Sequence, residues 1–218
     1  MARVSYHAEL DALRRDLLRM GTQVEEAIRL AVESLKERNA EKAHRVLALE
    51  DEVDRMELDI ERRCLNLIAL QQPMAGDLRQ IGMTLKVITD LERMADHAHD
   101  IAKVTLRLGD EPLIKPLVDI PRMAEVAEKM VRDGLKAFVE GDVELARAMV
   151  ARDDELDHLF NQIFRELLMI MREKPGTVDQ ATQLLMVGSH LERIGDHATN
   201  LAEWVIYLVT GVRQELND

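Results

Sequence analysis

The stretch "LERMADHAHDIA", Leu91 to Ala102, returns one hundred residues later as "LERIGDHATNLA", Leu191 to Ala202. At 100° per residue, Leu91, Met94, Ala95, Ala98, Ile101 and Ala102 fill one arc about 120° wide, which is the apolar stripe of a core-facing helix. Glu92, Asp96 and Asp100 stand beside it at roughly 100°, 140° and 180° and make an acidic ridge. The second copy repeats both features, with Leu191, Ile194, Gly195, Ala198, Leu201 and Ala202 as stripe and Glu192, Asp196 and Asn200 as ridge. Asn200 keeps an oxygen donor and drops a charge.

The likeness extends outward from this turn. At an offset of 103, Met20 falls on Met123, Leu35 on Phe138, Asn39 on Asp142, Ala43 on Ala146, Asp51 on Asp154 and Asp54 on Asp157. Beyond the turn prolines, Pro73 and Pro175, the offset shortens to 100, as a three-residue deletion in the turn would cause. Self-similarity of this kind marks a duplicated structural unit.

Helix punctuation divides each copy into three. The first copy reads as helices over about Val4–Arg38, Ala40–Leu70 and Asp77–Leu108, with Asn39 as break and cap and "QQPMAGD" as turn. The second reads as about Arg122–Glu140, Val143–Arg172 and Gln180–Thr210. Between them "GDEPLIKPLVDIP", Gly109–Pro121, holds three of the five prolines and is the expected linker. The expected organisation is therefore an all-α fold of two tandem antiparallel three-helix bundles, residues 1–108 and 122–218, joined by residues 109–121.

Composition agrees and narrows the function. Hydrophobic residues make up 47% and aromatics 3%, with 10 Gly in 218 residues, a helix-forming mixture. A net charge of −12 repels phosphate backbones and anionic lipid, so nucleic-acid binding is not expected. Cys64 is the single cysteine, with no partner for a disulfide or a zinc knot, and reads as buried filler in a reducing compartment. The N-terminus lacks a signal-peptide core, and "WVIYLVTGV" is shorter than the ~20 residues of a membrane helix. A cytoplasmic protein is expected, with a peripheral contact with a membrane complex left open. No phosphate-cradling Gly-rich loop occurs, and Ser5, Ser34 and Ser189 lie outside any nucleophile elbow.

The second helix of each copy also carries carboxylates four apart, Glu50 with Asp54 and Asp153 with Asp157, beside the apolar positions Val53 and Met56 or Leu156 and Leu159. Like charges one turn apart cost a helix about 0.2–0.5 kcal/mol per pair, and a bound cation reverses that sign. Carboxylates at this spacing on two facing helices are how bundles hold iron, manganese, magnesium or calcium. The bland alternative is a solvated acidic face, which a chain with 41 acidic residues also produces by chance. His97 and His197 fall near 240°, away from the ridge, and read as inter-helix hydrogen-bond partners. His99 sits in the ridge, but its counterpart is Thr199.

Two copies of a three-helix unit, each with an acidic pair opening its second helix and "LER-x-x-DHA" on its third, with "QQPMAGDLR" at the turn, resemble the PhoU family of bacterial phosphate-uptake regulators. The resemblance spans nearly the whole chain. It implies a non-enzymatic accessory protein of the high-affinity phosphate transporter, homodimeric, that contacts the transporter's ATPase subunit and the phosphate sensor histidine kinase. It further implies iron-type or zinc ions at the repeated Glu/Asp-x-x-x-Asp motifs. These fall on Glu50, Asp54, Glu92, Asp96 and Asp100, and on Asp153, Asp157, Glu192, Asp196 and Asn200.

Two other functions compete. A ferritin-like di-iron oxidase needs Glu-x-x-His pairs; Glu41 with His44 and Glu155 with His158 have the spacing but do not correspond between the copies. A metal-free helical scaffold needs no ion at all.

Overall fold

In the computed structural model, residues 2–216 are described, with side chains from Tyr6 onward. Met1, Asn217 and Asp218, the outermost residues of the two expected repeats, lie outside the described residues. Seven α-helices account for nearly all of the chain, and no strand occurs among the described residues: α1 (Ala2–Glu37), α2 (Ala40–Gln71), α3 (Gly76–Leu108), α4 (Asp119–Glu140), α5 (Val143–Arg147), α6 (Val150–Glu173) and α7 (Val178–Thr210).

The breaks follow local chemistry. Asn39 caps α2 by accepting the amide of Lys42 at 3.1 Å, and its counterpart Asp142 caps α5 by accepting that of Leu145 at 2.9 Å. Each cap satisfies one of the orphan donors of a helix start. The residue before each cap is left-handed, Arg38 at φ 56° and Gly141 at φ 68°.

Two expected boundaries move. The helix expected over Val143–Arg172 is interrupted at Ala148 and Met149, where the Met149 amide bonds to Ala146 O at 3.1 Å, one residue short of the α-helical partner. Both residues stay right-handed, so the path bends instead of reversing, and Met149 is carried fully into the core. The segment expected to link the halves ends early, because α4 already begins at Asp119. Pro121 then lies in its first turn, where a missing N–H costs nothing.

Helices α1, α2 and α3 pack on one another, and α4, α5, α6 and α7 do the same. The two bundles then join along α1 against α4 and α3 against α7, so that α1, α3, α7 and α4 form a central ring flanked by α2 and α6. One apolar core runs through both halves, from Leu17, Met20 and Ile28 through Leu91, Met94 and Ile101 to Met123, Leu191 and Val205. Cys64 is buried there, and burial pushes its thiol up to about 11, which makes it inert at neutral pH. No helix among the described residues is long and apolar enough to cross a membrane.

The α1–α4 joint depends on a missing side chain. A Cβ on Gly21 would stand 1.9 Å from Leu135 Cδ1, whereas a Cβ on Gly82 of α3 would meet nothing within 4 Å. Gly21→Ala is therefore expected to overpack the joint and destabilise by about 1–3 kcal/mol. Gly82→Ala should stabilise by roughly 0.5–1 kcal/mol through helix entropy alone. Urea unfolding of the two variants checks both signs.

Candidate metal centres on the two acidic ridges

Helices α2 and α3 lie side by side and bring their acidic faces together. Glu50 and Asp54 of α2 meet Glu92 and Asp96 of α3, and each stands partly withdrawn from solvent. His99 joins them, with Nδ1 3.2 Å from Glu50 Oε1. Glu57 joins them as well: its carboxylate accepts a hydrogen bond from Thr89 Oγ1 at 3.1 Å and stands close enough to Glu92 to affect its ionisation. The first centre is thus Glu50, Asp54 and Glu57 on one helix opposite Glu92, Asp96 and His99 on the other, both series spaced four then three residues apart.

The electrostatics match such crowding. Burial first, then Asp96, pushes Glu92 up to about 7, and burial with Asp96 and Asp51 raises Asp54. Glu50 is also raised by burial, although His99 beside it pulls the other way. Burial raises Glu57 too, against the Thr89 hydrogen bond. Arg93 lies on the outer side, with Nε 3.3 Å from Glu92 Oε2 and Nη1 3.1 Å from Asp96 Oδ2. It is itself mostly exposed and neutralises little of the interior charge.

In the second half, Asp153 and Asp157 of α6 face Glu192 and Asp196 of α7. Asp153 is buried, and burial together with Asp157 and Asp196 pushes it up to about 6; Glu192 is raised by burial as well, and Asp157 and Asp196, only partly desolvated, are raised in the same direction, Asp157 also by Asp154 and Asp196 also by Asp157. The helices approach closely because Gly195 has no side chain, since a Cβ there would lie 2.4 Å from Leu156 Cδ2 and 3.2 Å from Asp153 Oδ1. Where the first centre has Glu57 and His99, the second has Phe160 and Thr199. It is the poorer in donors and the more open, with Asp157 and Asp196 both exposed.

Asp100 and Asn200 leave the ridges on which the sequence placed them. On α3 the direction facing α2 is bounded by His99, Glu92 and Asp96, at roughly 80°, 100° and 140° on the wheel, and Asp100 at 180° has already turned past it. It lies instead beside His97 and His190, and accepts from Lys103 Nζ at 3.3 Å. Asn200 turns the same way and donates to Asp90 Oδ1 at 3.0 Å. His97 and His197 do bond across the seam between α3 and α7: His197 Nδ1 to Asp90 Oδ1 at 2.9 Å, and His97 Nδ1 to His190 Nδ1 at 3.3 Å. Burial and the neighbouring His190 and His197 hold His97 down to about 4. The pairs Glu41 with His44 and Glu155 with His158 stay outside both ridges, His44 and His158 exposed and Glu155 bonded to Arg122 at 2.7 Å.

Whether cations fit the ridges is tested by the donors themselves. Asp54 Oδ1 is buried without any hydrogen-bond partner, in the midst of carboxylates whose negative charge His99 and the exposed Arg93 offset only in part. A buried acceptor left unmatched costs about 1–3 kcal/mol, which a cation would recover. Oxygen donors in number with one imidazole suit hard to borderline metals. The residues fit.

The sequence matches the PhoU domain twice, over residues 17–105 and 120–205. It is 42% identical to the phosphate-specific transport system accessory protein PhoU homolog of Clostridium acetobutylicum over the whole of both chains. It is 43% identical to the homolog of the same name from Aquifex aeolicus, covering 93% of this chain and 92% of that one. The crystal structure of PhoU from Pseudomonas aeruginosa superposes with a TM-score of 0.90 at 35% identity, covering 95% of this chain and all of that one. The chain belongs to the PhoU family.

Glu92 supplies a pH test on protein stripped of metal. A carboxyl raised in the folded state stabilises the fold fully below its unfolded value, near about 4.3, and that contribution is lost as pH rises through about 7. Glu92→Gln is therefore expected to raise the melting temperature at pH 8 and to flatten the fall in stability between about pH 5 and 7.5. Thermal unfolding in chelator across that range checks it, and a lower melting temperature for the variant at pH 8 would refute the crowding described.

Proposed function

We propose that this member of the PhoU family is an accessory regulator of phosphate uptake. It restrains the high-affinity transporter through its ATPase subunit and keeps the phosphate sensor histidine kinase silent when phosphate is plentiful. The observation that carries the reading is kinship over the full chain with proteins named for the phosphate-specific transport system. It works in the cytoplasm as a homodimer and reaches the membrane through its partners, and its role requires no catalytic step.

The acidic ridges belong to the same reading. Glu50, Asp54, Glu57, Glu92, Asp96 and His99 would hold iron-type or zinc ions in the first half, and Asp153, Asp157, Glu192 and Asp196 in the second. Bound ions there supply positive charge between helices that otherwise repel. The residues do the rest: they set the spacing of α2 from α3 and of α6 from α7, and so the shape of the surface offered to a partner.

Elemental analysis of gently purified wild type against the Asp96→Ala/Asp196→Ala variant separates this from the scaffold reading, with phosphate uptake measured in cells lacking their own copy. Wild type should retain iron or zinc and repress uptake, while the variant loses most of both. Equal metal content in the two proteins would show that the ridges hold none of it and would leave them as solvated acidic faces. Full repression by a metal-poor variant would detach the ridges from regulation.

A further inference from the structure

The seam between α3 and α7 holds a second kind of site, on the side of α3 that faces away from the ridge. His97 and Asp100 of α3 and His190 of α7 converge there, each partly exposed, with one donor atom from each lying within 4.8 Å of the other two. The two Nδ1 atoms are 3.3 Å apart and the imidazole centroids 5.3 Å. That spacing is long for an ordinary hydrogen bond, whose N···O mode is about 2.9–3.0 Å. It equals the edge of a zinc tetrahedron: bonds of roughly 2.0–2.1 Å put ligand atoms about 3.3–3.4 Å apart.

The duplicated sequence supplies an internal control. At the offset of 100, His97, Asp100 and His190 correspond to His197, Asn200 and Asp90. The second trio is closed on itself: Asp90 accepts from His197 Nδ1 at 2.9 Å, from Asn200 Nδ2 at 3.0 Å and, on its other oxygen, from Trp204 Nε1 at 2.8 Å. Both oxygens of Asp90 are taken. In the first trio Val104 stands where Trp204 would be, Asp100 where Asn200 would be, and a second imidazole where the carboxylate would be. One trio is a finished hydrogen-bond lock, while its counterpart offers two imidazoles and a carboxylate held only by the long His97–His190 contact and by the exposed Lys103.

We propose that His97, Asp100 and His190 form a binding site for one late first-row divalent cation, with zinc as the reference ion, that ties the two repeats together across the α3–α7 seam. Two imidazoles and a carboxylate are a donor set for zinc and its neighbours, unlike the oxygen-rich ridges. The partial exposure of all three residues leaves a fourth position for solvent. Lys103, Arg107 and Arg193 lie near and oppose the cation, but all three are exposed and screened. The site shares no ligand with the ridges, so its failure and theirs are separable.

Cobalt(II) is the probe, because four-coordinate nitrogen–oxygen sites give it strong visible bands that six-coordinate carboxylate sites lack. The full chain is used with its ridges blunted by Asp54→Asn/Asp96→Asn/Asp157→Asn/Asp196→Asn. This protein should bind one cobalt per chain with the strong spectrum, and zinc should displace it. His190→Ala should abolish the bands, Asp100→Asn should weaken binding at least about tenfold, and His44→Ala, an exposed histidine elsewhere, should change nothing. Absence of strong bands in the ridge-blunted protein would overturn the proposal, as would bands of full strength in Asp100→Asn, a partly exposed position whose substitution leaves the core untouched.

Discussion

Asp90 is a buried carboxylate between the two halves, and three donors from α7, an imidazole, an amide and an indole, satisfy it. An unpaired charge at that depth would cost several kcal/mol, so the contact tolerates little slippage of α7 along α3. Both acidic ridges depend on that register. Each third helix turns one face to its own second helix, where the carboxylates gather, and the adjacent face to the other third helix. The angle between those faces is set by residues one and two positions apart, such as His99 and Asp100, and moving the seam would move the ridges with it.

Carboxylates are held close in both halves by packing that does not itself reward them. Leu91, Met94, Ala95 and Ala98 lock α3 into the core with no exposure, and Leu191, Ile194 and Ala198 do the same for α7. The acids beside them are carried into partial burial, and their pKa values rise toward the neutral form as the least costly response. Apolar burial thus works against electrostatic repulsion, and positive charge between the helices is what would relieve the conflict.

Much of this was legible in the sequence. The duplication, the two caps at Asn39 and Asp142, the apolar stripes and the approach of Glu92 and Asp96 to Glu50 and Asp54 all follow from periodicity. A wheel assigns directions about one axis but does not say where neighbouring axes lie, and for that reason it groups Asp100 and Asn200 with the ridges while the packing places them at the seam. Glu57 escaped for a different reason. It stands seven residues after Glu50, on the same face, but Phe160 occupies its place in the other half, so a search for repeated acids passes over it. Asp90 gave no motif at all, and only the packing of α3 on α7 shows what it does. The break at Ala148 and Met149 also carries no Gly or Pro to announce it.

The replacement of Glu57 and His99 by Phe160 and Thr199 has a consequence for recognition. A body built from two identical halves would present itself to a binding protein in two equivalent orientations, and a docked complex would be a mixture. Here one end is richer in charge and the other carries an aromatic ring, so the two orientations differ in energy. The molecule has acquired a front and a back, and an asymmetric partner that meets it can tell one from the other.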